Sequence, residues 1–320
     1  MRIIIEPSVA DDSNAHQWLD RILHRVSDGW HVWDINDHVD FSAFENTTWI
    51  QERGTKGLEI LEDFIKSSER DVWDTWHHKK KIIVTSSPKN ENEFIPEDAA
   101  KMVNEPLIII VENQINDGKF IRRIFKELAP YISELLSIGA VRIDSIGGIG
   151  QMRHLIQDLL SNNSSGYRLI AIADSDKKSA SDPESNSAQG LRKFCEAENI
   201  SCWILAKRAA ENYLPSILIK QFKPNDQRHL TKIEVWEKLS DEQKDFYDMK
   251  NGLPHNRDDT IYPLFQDISD ADYCILEEGF HRTKLHRCWE LLDNVGIDEE
   301  LRNRSCGDLD NGISMIRNEI

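Results

Sequence analysis

Five carboxylates sit at positions where their spacing could do chemistry: Glu112, Asp117, Asp174, Asp176 and Glu211. Glu112 ends the apolar run PLIIIVEN, Asp174 and Asp176 end YRLIAIADSD, and Glu211 follows the apolar stretch ISCWILAKR. If these runs are neighbouring strands of one sheet, the acids converge on one edge. Two carboxylates ~4 Å apart repel by about 4 kcal/mol at an effective dielectric near 20, so such a cluster must be neutralised. Proton sharing is one answer. Oxygen-only ligands suit Mg²⁺ or Mn²⁺, and an ion held this way can activate water and stabilise a leaving oxygen in phosphoryl transfer. Taken singly, a Glu at a strand end is ordinarily a solvated residue, and Asp117 favours a helix start by its charge alone. The Asp174 and Asp176 pair carries more, because strand alternation would aim both at one ion.

The elements that must position these acids follow from hydrophobic periodicity. From Pro106 onward short apolar runs alternate with helical patterns. PLIIIVEN precedes a helix carrying Phe120, Ile124, Phe125 and Leu128, and AVRIDSIGG precedes a helix over Gln151 to Leu160. YRLIAIADSD precedes a helix around Leu191 to Glu198, and ISCWILAKR precedes a helix from about Ala209. This rhythm predicts an α/β fold with a mostly parallel sheet flanked by helices, in which ligands gather at the carboxyl ends of strands.

Three regions are expected: an N-terminal α/β region over 1–104, a catalytic α/β region over 105–223 and a mainly helical C-terminal region over 224–320. In the first, Trp18, Leu19, Ile22, Leu23 and Val26 share a helical face, as do Leu58, Leu61, Phe64 and Ile65. RIIIE, WHVWDI and KKKIIVTSS read as strands, and the polar SSPKNENEFIPEDA as a linker.

Composition narrows the classes. Apolar residues make up 39% of the 320 and charged residues 30%, as expected of a protein that builds a core. No apolar run approaches the ~20 residues that span a bilayer, and the opening MRIIIEPSVADD turns acidic too soon for a signal peptide, so a cytoplasmic location is expected, with no membrane partner. The five cysteines contain no C-x-x-C pair and read as reduced thiols. A net charge of −17 opposes a phosphate backbone at long range, so nucleic-acid binding would need a metal or a local basic patch. Local cations are present: Lys177 and Lys178 after the Asp pair, Lys207 and Arg208 at the last strand, HHKKK over 77–81 and HRTKLHR over 281–287. Lys207 and Arg208 are the better placed to orient a phosphate. Trp73, Trp76 and Trp289 flank the two outer clusters, as stacking platforms or as core. GGIG at 147–150 lacks the spacing of a dinucleotide or Walker loop, and reads as a close turn. Adjacent His77 and His78 do not suggest a zinc site.

The order VEN with Asp117 beyond, then GGIG, IADSD and AKRAAENYLP, resembles the TOPRIM nucleases, above all the TOPRIM halves of OLD-family proteins and the DUF4435 proteins of anti-phage systems. The resemblance covers about residues 106–222. It implies a TOPRIM-like sheet and a metal-dependent nuclease acting on DNA or RNA, tRNA included, in an antiviral role. It implies Glu112 as a metal-holding general acid or base and Asp174 and Asp176 as Asp-x-Asp ligands. Glu211, with Asn212, Tyr213 and Leu214, fits the Glu-Asn-Tyr-Leu signature. With Lys207 these form the expected catalytic set; Asp117 joins the four acids as metal ligand, and Lys177, Lys178 and Arg208 are expected on nucleic acid. Asn113 stands where the family has glycine, and Asn116 where it has an acid; a loop one residue longer brings Asp117 into register. Family members work beside an ABC or OLD-type ATPase, so a separate ATPase subunit is implied, and a homo-oligomer is possible. Two rivals stand. IADSDKK is also similar to the Asp-x-Asp of haloacid-dehalogenase-like phosphatases, although Lys178 and the motif's late strand argue against it. A non-catalytic TOPRIM-fold docking or regulatory module is the other.

Overall fold

The computed structural model describes residues 1–35, 40–73, 78–162, 168–223, 225–255, 257, 263–280, 285–291 and 297–320. Among them the strands form two four-stranded parallel sheets flanked by helices, the expected α/β architecture with a helical C-terminal region. The chain divides into two compact units. One comprises 1–107, 134–142 and 314–320; the other comprises 108–133 and 143–313, so most of the C-terminal helical stretch belongs with the second sheet.

In the first unit β1 (Arg2–Ile5), β2 (Val32–Trp33), β3 (Lys81–Val84) and β4 (Glu93–Phe94) pair in the order β2-β1-β3-β4. The helix His16–Ser27 buries Leu19, Ile22, Leu23 and Val26, the face its spacing predicts. Each such burial contributes about 1.5–3 kcal/mol. Trp33 meets Phe44 edge-on, with ring centroids 5.0 Å apart. The segment read as a linker is ordered: Phe94 packs against this core from β4, and Pro96 opens the helix Pro96–Asn104. Proline suits the first helical turn, whose amide has no intrahelical acceptor. The polarity that suggested a linker belongs to an edge strand and a helix start.

The second sheet contains β5 (Leu107–Val111), β6 (Val141–Ser145), β7 (Leu169–Ala173) and β8 (Ser201–Ile204), in the order β6-β5-β7-β8. All five residues of β5 and of β7 are buried, which is why both read as unbroken apolar runs. Val111 pairs with Ile172, and Ala173 with Ile204. The register therefore sets Glu112 and Asp174 at adjacent strand ends. Beyond β8 the expected helix from Ala209 is instead the 3₁₀ turn Ala210–Tyr213 followed by the helix Ser216–Phe222, because Pro215 divides them.

Candidate active site

Glu112 is half-buried at the end of β5, and its backbone carbonyl accepts the amides of Gly147 (3.0 Å) and Gly148 (3.4 Å) from the loop after β6. Those glycines have φ of +80° and +96°, and a Cβ on either would meet open space. They are needed for backbone conformation, which fits the close-turn reading of GGIG.

Asp117 begins the helix Asp117–Leu128 and is almost fully buried. Its Oδ2 accepts the Asn113 amide at 2.8 Å, while its own amide donates to the Asn113 carbonyl at 2.8 Å. The Asn113 side chain in turn accepts the amides of Ile115 and Asn116. Asn113 thus folds the loop after β5 and points Asp117 inward.

Asp174 follows β7, half-buried, with Oδ1 accepting the Ala210 amide at 2.9 Å. The alternation argument for the Asp pair does not hold: the strand stops at Ala173, and Asp176 adopts φ +54°. The Asp176 amide donates to the Arg208 carbonyl at 2.9 Å, and the Ser175 hydroxyl to the Lys207 carbonyl at 2.6 Å. A turn anchored on the loop after β8 therefore carries Asp176, which is exposed.

Glu211 lies in the 3₁₀ turn, 3% exposed, with Oε1 3.1 Å from Lys250 Nζ and Oε2 buried without a hydrogen-bond partner. Lys250 is the residue the sequence reading missed. Burial works against its ammonium, but Glu211, Asp174 and Asp117 outweigh it and hold its pKa above that of an ordinary lysine. The acids respond in the opposite sense. Burial, then Asp176, raises the Glu112 carboxyl. Burial raises Asp117 to about 7, against its bond from Asn113 and with Glu211 adding. Burial, then Asp117 and Glu211, raises Asp174 well above its ordinary range. Lys250 opposes the rise in all three. Five acids and one lysine thus share one sheet edge, with Lys250 as the internal cation.

Two of the basic residues, Lys207 and Arg208, are engaged by acids of the helical region. Lys207 is 3% exposed and binds Asp245 at 2.5 Å, over the Tyr213 ring. Burial, then the Arg304 charge, lowers its pKa. Arg208 binds Asp248 at 3.0 Å. Both therefore tie the end of β8 to the segment that presents Lys250, whose amide donates to Asp248 Oδ1 at 3.0 Å. Asn212 completes the clamp: its side chain donates to the carbonyls of Lys244 and Tyr247. Lys177 donates to the Ala180 carbonyl, and Lys178 is exposed. Trp289 is core, 5.2 Å from the Phe120 ring, and offers no exposed face for a base to stack on. Lys80 and Lys81 pair with Glu319 and Asp34. His77, Trp76 and residues 281–284 lie outside the described residues, as does the Trp73 side chain.

The donor set is all oxygen, which suits a hard divalent ion, and a buried Glu211 oxygen lacks a partner. Among the described residues, however, no group of three or more His, Cys, Asp or Glu side chains stands in a metal-holding arrangement. The lysine at Glu211 supplies the charge that an ion would otherwise supply. Among the described residues no helix is long and apolar enough to cross a membrane. No protein-family profile, curated protein or solved structure matches the chain.

Proposed function

We propose that the chain is a TOPRIM-type nuclease hydrolysing phosphodiester bonds in DNA or RNA, tRNA included, with Mg²⁺ or Mn²⁺ as cofactor. The observation that carries this reading is the placing of Glu112, Asp117, Asp174 and Glu211 at one sheet edge, where Lys250 contacts Glu211 and its charge acts on the other three carboxyls, each pushed toward protonation. Such a site is short of positive charge, and it sits where parallel sheets bind ligands. Glu112, Asp117, Asp174, Asp176 and Glu211 would hold the ion, which when bound supplies Lewis-acid activation of water and charge neutralisation at the phosphate. Glu112, raised and half-exposed, can hold a proton for the departing oxygen. Lys250, the cation beside Glu211, would steady a phosphate oxygen. Lys207, Arg208 and Asn212 act through Lys250, as positioning residues.

The reading extends to an anti-phage effector in the cytoplasm, partnered by a separate ABC or OLD-type ATPase. Purified protein should cleave plasmid DNA or total tRNA in Mg²⁺ or Mn²⁺, and Asp174→Ala should abolish cleavage. Cleavage that survives in Asp174→Ala would remove the site from the account. One observation favours a second reading, a non-catalytic docking module: the Lys250 ammonium already serves Glu211 as its counter-cation. Absence of carboxylate-dependent Mn²⁺ uptake would select it.

A further inference from the structure

A second polar site lies in the C-terminal helical region, between the end of the helix Ser216–Phe222, the start of the helix Gln227–Lys238 and the turn that follows Asp270–Leu276. It is a cavity of about 260 Å³, with Lys223, Arg228 and Lys232 facing Phe222, His229 and Phe280. In a chain of net charge −17, three cations at one cavity are a local reversal of sign. Their counter-charges are weak. Asp226 sits 3.6 Å from Lys223 and is already the cap of the helix that follows, accepting the His229 amide. Glu278 sits 3.7 Å from Lys232, with a side chain 83% exposed. Arg228 is exposed, and among the described residues its guanidinium has no partner. Lys232 is half-buried, donates to the Gly279 carbonyl at 2.6 Å and lies 5.9 Å from the centre of the Phe280 ring.

The aromatic wall is fixed. His229 Nε2 donates to the Ile219 carbonyl at 2.8 Å, which holds the imidazole edge-on between Phe222 and Phe280. Phe280 is buried, with its amide bonded to the Met249 carbonyl at 2.7 Å. Cations beside rigid aromatic faces match a ligand with an anionic group attached to a planar ring. The volume lies just below the usual range of ligand cavities, which suits one such unit and not an extended strand.

We propose that this cavity binds the phosphate of a single nucleotide unit, either a free nucleotide or the phosphorylated end of a strand, with Arg228, Lys232 and Lys223 on the phosphate and the aromatic wall beside the base. The proposal does not require the carboxylate edge to be catalytic.

Binding is measured on the full chain in EDTA, so that no metal can bridge phosphate to the carboxylates. The probes are inorganic phosphate, a nucleoside 5′-monophosphate, and a short single strand with and without its 5′-phosphate. Saturable binding of the monophosphate or of the phosphorylated strand is expected, weakened by salt and by removal of the phosphate. Monophosphate binding alone identifies a free nucleotide as the source; binding by the phosphorylated strand alone identifies a strand end. Arg228→Glu, an exposed change that leaves the fold intact, should weaken binding on the order of tenfold or more, and Lys232→Met similarly. Lys56→Glu, exposed in the other unit, should have no effect, and Asp174→Ala should bind as the unaltered chain does. Absence of binding by every probe, or binding that Arg228→Glu leaves intact, overturns the proposal. Inorganic phosphate binding as tightly as the monophosphate overturns the nucleotide assignment.

Discussion

Replacing Lys250 by methionine removes the internal cation of the carboxylate edge while keeping most of the side-chain volume. The ammonium lies 3.1 Å from Glu211 Oε1, where the gross attraction at an effective dielectric near 20 is about 5 kcal/mol. Desolvation of both groups offsets part of this. What the substitution exposes is the cost of leaving Glu211, 3% exposed, as a buried charge without a partner. Breaking such a pair costs about 3–5 kcal/mol, and because the Lys250 side chain is 30% exposed the lower end applies, about 3 kcal/mol. For a folded unit of 150–250 residues this lowers Tm by roughly 6 to 12 °C. The loss must depend on pH. Near pH 8 Asp117, raised to about 7, is ionised and adds to the charge that needs the cation; near pH 5 it holds a proton and the need is less. Thermal melts of both proteins in EDTA at these two pH values check the reasoning. A loss of several degrees at pH 8 that shrinks markedly at pH 5 is expected. An equal loss at both, or none at pH 8, would refute the placement of Lys250 as the counter-cation.

The unaltered protein should itself be more stable in mild acid when metal is absent. Asp117 is raised from 3.8 to about 7 in the folded state, so the folded form binds its proton more tightly than the unfolded. Stability is then greatest below the unfolded pKa and falls as pH rises to about 7, by up to about 4 kcal/mol; denaturant melts in EDTA between pH 4 and 8 should show this decline. Gly252→Ala should destabilise by several kcal/mol: φ is +81° there, and a Cβ would stand 2.3 Å from the Glu277 carbonyl and 2.4 Å from the Gly279 amide. Since Lys250 lies on the same turn, metal-dependent cleavage should fall with it; unchanged stability would contradict the close approach. Ser185→Ala removes the hydroxyl that accepts the Ala188 amide at the start of the helix Asn186–Ala197 and should cost about 1 kcal/mol, read as a small fall in denaturation midpoint.

The sheet was legible because β5 and β7 are buried on every residue, so each appears in sequence as an apolar run closed by an acid. The acids converge because parallel register puts strand ends abreast. The geometry within the site was not legible. Alternation predicts a shared direction for Asp174 and Asp176, but the strand stops at Ala173, and bonds to the carbonyls of Lys207 and Arg208 turn the chain there. Lys207 and Arg208 read as phosphate-facing cations because Asp245 and Asp248, which engage them, belong to a distant helical segment with no periodic signal of its own. Lys250 was invisible for the same reason. Its place depends on Arg208, Asp248 and Asn212 acting together, and only the following Asn-Gly pair marks a turn in its sequence.

The central claim is that these carboxylates gather to hold a divalent ion, and calorimetric titration of Mn²⁺ into the full chain near pH 7 tests it most directly. Run in two buffers of different ionisation enthalpy, it should show saturable uptake with net proton release, because Asp117, raised to about 7, must give up its proton as the ion binds. Asp174→Ala should lose that uptake. No uptake by the unaltered chain, uptake undiminished in Asp174→Ala, or uptake without proton release would contradict the account.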